Sequence, residues 1–263
     1  MEKPKKILQQ WAIPIVIALV LTIIIKLFFV QTYIKQGNLF FINKFSEIKN
    51  NDIILFKKDD NVYLKRCVAV PGDIIFMKNS ELFVNKNKEI SSPSIKKKYR
   101  IMAFDSISNN AILNYYKLAE VEADISTYDV ELNFDTYTKI VQDSIIENIK
   151  PVVVAENYGD LSIFPHSKMF RWNKDNFGVI ILPRKNTIIK LNQKTYNLYK
   201  STIETYENNK IESRKGKFYL NNNEIKSYTF QQSYYFILND NRSDINDSRT
   251  FGLIPERDIK GKR

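Results

Sequence analysis

Apolar positions fall into two regimes along the chain. From Trp11 to Val30 they run almost unbroken, WAIPIVIALVLTIIIKLFFV, with Lys26 the only charged side chain. A helix of that length reaches about 30 Å, the thickness of a bilayer's hydrocarbon layer. The run therefore predicts a single transmembrane helix over residues 11–30. Lys26 stands near its far end, where the side-chain stem lets the ammonium reach the interface. Lys3, Lys5 and Lys6 precede the run against Glu2, a charge bias that holds residues 1–10 in the cytoplasm and sends the rest across. The run exceeds the apolar region of a cleaved leader and no small-x-small site follows it, so it reads as an anchor.

After residue 38 the pattern changes to short strand-like pieces: NLFFINKF, DIILF, VYLKRCVAV, DIIFM and ELFVN. Turn formers at Asn50-Asn51, at 57–61 and at Pro71-Gly72-Asp73 divide them, which predicts an antiparallel β-barrel or sandwich. Residues 91–165 open on the polar, basic SSPSIKKKYRIMA and mix helical patterns (ILNYYKLAEVEA, FDTYTKIVQDSIIEN) with weaker strand signal, as an inserted α+β subdomain would. Strand character returns in PVVVAEN, FGVIILP and NTIIKL. A helix is predicted at about 193–208, N-capped by Asn192, with Tyr196, Tyr199, Ile203 and Tyr206 forming a core-facing stripe. Residues 81–90 and 218–225 each place an Asn-rich turn between apolar triplets and Glu-Ile, the pattern of a hairpin. The expected division is a cytoplasmic tail over 1–10, the membrane helix over 11–30, a first part of the β body over 31–90, the insertion over 91–165 and the remainder of the body over 166–263. The fold class is mainly β.

Composition narrows the chemistry. Forty Lys plus Arg against 29 Asp plus Glu leave a formal charge of +11. On a body held beyond the membrane, that charge suits phospholipid headgroups or secreted chains rather than nucleic acid. One Cys excludes an intramolecular disulfide, and one His with one Cys excludes the usual four-ligand zinc site. No metal or cofactor is expected. Cys67 reads as a small buried hydrophobe and His166 as a loop residue.

Two segments carry candidate chemistry. Strand alternation puts Tyr63, Lys65 and Cys67 on one face, so Lys65 points with apolar neighbours and away from Arg66. Burial disfavours an ammonium, which suits a general base, although an ordinary edge-strand lysine gives the same spacing. The second segment, from Asn239 to Arg249, alternates Asp and Arg as an ion-pair network would. It lacks the glycine and terminal glutamate of a helix-loop-helix calcium loop.

Taken in order, FFVQTYI, NLFFINKF, DIILF, YLKRCVAVPGD and NDNRSDINDSRTFGLIP resemble bacterial type I signal peptidases. WNKDNFGVIILPRKNTIIKL and the tyrosine helix after it resemble the larger Bacteroidetes forms. The resemblance implies a Ser/Lys endopeptidase that removes signal peptides from secretory preproteins. It would sit in the bacterial cytoplasmic membrane as a single-pass protein, its body on the outer side. Lys65 then stands for the general base and Arg66 for its supporting cation. Pro71, Gly72 and Asp73 stand for a strand-end turn, and Asp240, Asn241, Arg242, Asp247, Ser248 and Arg249 for the architecture around the site.

The resemblance breaks at the nucleophile. The family's Ile-Pro-Ser-x-Ser-Met-x-x-Thr-Leu segment is missing between QTYI and LFFINKF, with Gly37-Asn38 where Gly-Asp would stand. Thr32, Tyr33 and Ser46 are the hydroxyls nearest the gap in sequence, and all are poorly placed to replace the serine. Ile245 takes the place of the serine that would orient the lysine amine, and Asn239 that of a glycine. These departures predict a relative impaired in hydrolysis that keeps a peptide-binding or accessory role. The alternative is an active signal peptidase with an unconventional nucleophile and Lys65 as base.

Overall fold

The structure, a computed structural model, describes residues 4–24, 30–35, 38–44, 46–89, 92–103, 113–116, 118, 122–124, 127–144 and 146–263. It begins with helix α1 (Pro4–Ile24). The strands of the first segment are β1 (Val30–Lys35), β2 (Asn38–Asn43), β3 (Ile53–Lys58), β4 (Asn61–Ala69), β5 (Ile74–Lys78), β6 (Glu81–Val84) and β7 (Asn87–Lys88). Next come β8 (Lys96–Ala103), β9 (Glu122–Asp124), β10 (Thr127–Asn133), α2 (Phe134–Val141) and β11 (Ile146–Pro151). They are followed by β12 (Phe177–Ile181), β13 (Ile188–Lys190), α3 (Gln193–Tyr206), β14 (Ile211–Arg214), β15 (Lys217–Leu220), β16 (Asn223–Ile225) and β17 (Ser227–Thr229). The chain closes with β18 (Tyr234–Leu238), the short α4 (Ser248–Phe251), β19 (Ile254–Pro255) and β20 (Ile259–Lys262).

Mainly antiparallel β architecture follows. A seven-stranded sheet has the order β1-β2-β20-β3-β4-β18-β19, so strands from both ends of the chain interleave. A four-stranded sheet, β12-β5-β6-β7, packs with α3 around the largest core, in which Ile75, Leu82, Leu182, Ile203, Phe230 and Tyr234 are buried. A second core of Ile54, Phe56, Cys67, Ile237 and Ile254 lies against the large sheet. The sheet β11-β8-β10-β9 closes on its own cluster of Ile101, Val130, Leu132 and Ile140.

Local chemistry explains where these elements stop. Asn192 Oδ1 accepts from Thr195 N at 2.9 Å and Thr195 Oγ1 accepts from Asn192 N at 2.9 Å, a reciprocal cap that starts α3. Both expected hairpins form, β6 with β7 and β15 with β16. The helical pattern over 134–148 splits: α2 ends at Val141, and β11 pairs with β8, so that Ile146 and Ile149 pack on the Ile101 core. Residues 112–123 yield a helical turn at 113–115, a turn residue at 116, Leu118 and the start of β9, with 112, 117 and 119–121 outside the described residues. PVVVAEN is strand only at Pro151. Beyond it, side chains take the backbone groups: Val154 N donates to Asp175 Oδ2 at 2.9 Å, and Asn176 Nδ2 donates to Val154 O at 2.7 Å.

Among the described residues no helix is long and apolar enough to cross a membrane. The span expected over 11–30 runs past α1 into residues 25–29, which lie outside the described residues, as does Gly37. Within α1, Trp11, Ile15, Val16, Ile17, Leu19, Val20 and Leu21 are all exposed, so the part of the helix from residue 11 onward presents apolar side chains to its surroundings.

Candidate functional site

The site grows from the pairing of β4 with β3 on one side and β18 on the other. Ile54 stands opposite Lys65, and Leu238 opposite Arg66. Alternation turns Lys65 inward, where it is 9% exposed, beside the fully buried Cys67. Burial pushes the Cys67 thiol up, so it stays neutral. Lys65 Nζ donates to Asn239 Oδ1 and lies 5.9 Å from the centre of the Tyr63 ring.

Arg66 projects to the other face and closes a bidentate pair with Asp240, at 2.6 and 2.7 Å. It also donates to Asn51 O and Ser94 Oγ, each at 2.9 Å. Burial alone would raise the Asp240 carboxyl, but hydrogen bonds from Arg66 and Ser94 and the nearby guanidinium charges outweigh it and hold the group below the usual carboxylate range. A lowered folded value contributes stability that is present above the ordinary Asp range, near pH 4, and is lost as pH falls through the folded value. Acid titration of unfolding free energy should therefore fall less steeply below about pH 4 in Asp240→Asn than in the parent. Superimposable acid limbs would contradict that assignment.

The loop after β18 is built as a buried frame. A bulge between Phe236 and Ile237 shifts the β18–β4 register, and Ile237 N donates to Ser248 Oγ at 3.0 Å. Asp247 caps α4 through Arg249 N at 2.9 Å and accepts from Asn239 N at 3.0 Å. The Arg249 guanidinium grips Asp247 at 3.0 and 2.7 Å and donates to Arg242 O and Asp244 O, each at 2.7 Å. Arg242 donates to Asn239 O at 2.7 Å and pairs with Glu89, while Asn241 Nδ2 donates to Glu131 Oε2 at 2.6 Å.

Lys65, Arg66, Asp240 and Asn241 line one cleft of about 430 Å³ together with Phe40, Leu64, Ser94 and Asn239. Asp247, Ser248 and Arg249 are buried in its supporting loop. Asp73 is not among the cleft's lining residues. It holds the strand-end turn, accepting from Val70 N at 2.9 Å, Asn50 Nδ2 at 3.1 Å and Asn85 Nδ2 at 2.7 Å. Gly72 occupies that turn at φ +94°, where a side chain would be strained. Thr32 sits on β1, whose next residue, Tyr33, donates from its hydroxyl to Val62 O on β4 at 3.3 Å. Ser46 N donates to Asn43 Oδ1 at 3.1 Å just beyond β2. His166 lies in a loop, its ring nitrogens 3.1 Å from Leu161 O and Thr250 O.

Two participants escape sequence reasoning. Ser94 lies in an irregular stretch with no periodicity to aim it, and Asn239 reads there only as a bulky replacement for glycine. A separate cavity of about 410 Å³ between the β8–β11 sheet and the body is lined by Arg242 and Ser243 but not by Lys65.

The order of these segments has a counterpart among known proteins. The family described as signal peptidase, peptidase S26, matches residues 8–124 and 182–263. The chain belongs to that family. Lys65 and the whole 239–249 loop fall inside the matched segments, whereas 125–181, which includes α2 and β11, falls outside them. Relatives include signal peptidase I S of Bacillus subtilis (strain 168), 29% identical over 123 residues, covering 40% of this chain and 66% of the relative. Signal peptidase I P of Bacillus subtilis subsp. natto is 38% identical over 101 residues, covering 32% and 55%. Signal peptidase I of Bacillus amyloliquefaciens is 31% identical over 103 residues, covering 34% and 55%. The matches thus span between about half and two thirds of these signal peptidases' own length.

Proposed function

We propose that the chain is a membrane-anchored relative of signal peptidase I, impaired in hydrolysis, that binds the signal peptides of secretory preproteins in the cleft beside Lys65. The observation that carries this reading is the register of the β1–β2 ribbon. Lys35 pairs directly with Asn38, which leaves two residues where the family's serine-bearing segment would stand. A lysine base needs a hydroxyl within about 3 Å, whereas Lys65 Nζ donates to the amide oxygen of Asn239. The anchor is part of the same reading. A helix whose residues from Trp11 onward are exposed and apolar, in a chain with excess cationic charge, suits a bilayer with phospholipid headgroups at the body's surface.

Full-length protein in liposomes, mixed with a preprotein carrying its signal peptide, provides the test. Retained binding without cleavage is expected. Cleavage abolished by Lys65→Ala would overturn the reading in favour of an active peptidase. Ser94 is the hydroxyl to test in that case, because it lines the same cleft, although its Oγ is engaged by Arg66.

A further inference from the structure

We propose that Asn239 is a positioning residue that keeps Lys65 as an ammonium, turning the expected general base into a fixed cation in the cleft. The inference deepens the impaired-hydrolysis reading and rests on it for the role Lys65 would otherwise play.

A lysine acts as a base only as a neutral amine whose lone pair faces the hydroxyl it deprotonates. Lys65 Nζ here donates to the side-chain oxygen of Asn239. A hydroxyl in that position could rotate to donate to the amine or accept from it, but an amide oxygen only accepts. A bond of this kind favours the charged form of the amine.

The orientation of the amide is fixed from its other end. Asn239 Nδ2 donates to Asp244 O at 3.2 Å. A reversed amide would set its NH2 against the lysine nitrogen and its oxygen against a carbonyl, losing both bonds. The backbone is fastened as well, with Asn239 N on Asp247 and Asn239 O on Arg242. The side chain can leave Lys65 only by giving up its bond to Asp244 O as well. Ile245, nearby in the same loop, offers no polar side chain as a substitute.

The surrounding charges do not reverse this bias. From β4 come Tyr63 and Arg66, from β3 the apolar Ile54, and from the 239–249 loop Asp240, Arg242, Asp244, Asp247 and Arg249. Arg263 lines the same cleft. Asp240 and Asp247 are closed in pairs with Arg66 and Arg249, while the Asn239 amide is a neutral group in direct contact with the amine.

Lysine-selective NMR on the full chain in detergent micelles tests the proposal, with the Lys65 signal assigned by its loss in Lys65→Arg. The titration midpoint of Lys65 should fall by about one pH unit or more in Asn239→Ala, which removes the acceptor, and rise in Asn239→Asp, which charges it. A midpoint unchanged in either folded variant overturns the proposal. Should Asn239→Ala fail to fold, Asn239→Asp keeps the backbone bonds to Asp247 and Arg242, gives up the one to Asp244 O, and carries the comparison alone. The readout follows Lys65 whether or not any peptide is cut, so its failure is distinct from failure of the functional reading.

Discussion

Arg249→Met should destabilise the chain by about 3–5 kcal/mol, the range for removing one partner of a buried ion pair. Arg249 is 1% exposed and Asp247 is fully buried. The substitution leaves the Asp247 carboxylate in the interior with only backbone donors, and strands Arg242 O and Asp244 O without the guanidinium. For a chain of this size the loss corresponds to a fall in melting temperature of about 10 °C. The double variant Asp247→Asn/Arg249→Met should lose less than Arg249→Met alone, because no uncompensated charge remains. Denaturant unfolding followed by fluorescence checks both. A single variant within 1 kcal/mol of the parent, about the scale of an exposed pair, would show the frame to be dispensable.

The second large effect is expected at Gly261→Ala. Gly261 has φ +140°, and a Cβ there would stand 2.3 Å from Asn43 O and 2.8 Å from Ile42 Cγ2. Backbone strain contributes about 1–3 kcal/mol, and the overlap with backbone adds to it, since Asn43 cannot yield without releasing its pairing with Lys262. Gly216→Ala is the control: its φ is +78° and nothing lies within 4 Å of its added Cβ, so it carries strain alone. Gly261→Ala should therefore be the more damaging of the two, with amide exchange accelerated at Ile42 and Asn43. Equal losses at both positions would place β20 and β2 farther apart than described.

Much of this was readable where spacing encodes the outcome. The stripe Tyr196, Tyr199, Ile203 and Tyr206 and the cap at Asn192 locate α3 because helix periodicity and capping are local properties. The inward turn of Lys65 follows from strand alternation in the same way. The end of α2 was not readable, since Ile146 and Ile149 fit a helical pattern as well as they fit β11 and only the partner strand decides. Val152 to Val154 carry strong strand preference, yet only Val152 N still reaches β8, at Lys98 O, while Asp175 and Asn176 satisfy the backbone of Val154 instead. The contacts of Asn239 and Ser94 depend on loops meeting in space, which no spacing rule reports. The IKGK of β20 has too little apolar alternation to reveal that it belongs at the centre of a sheet.

That placement of β20 bears on the order in which the chain can assemble. β2 and β3 are made early, but the strand that joins them comes from residues 259–262. Until those residues emerge from the ribosome, the large sheet exists as two pieces, each with an open edge able to pair with a neighbouring chain. The sheet cannot close before residue 262 has been made, which ties completion of the site's scaffold to a strand some two hundred residues beyond β3.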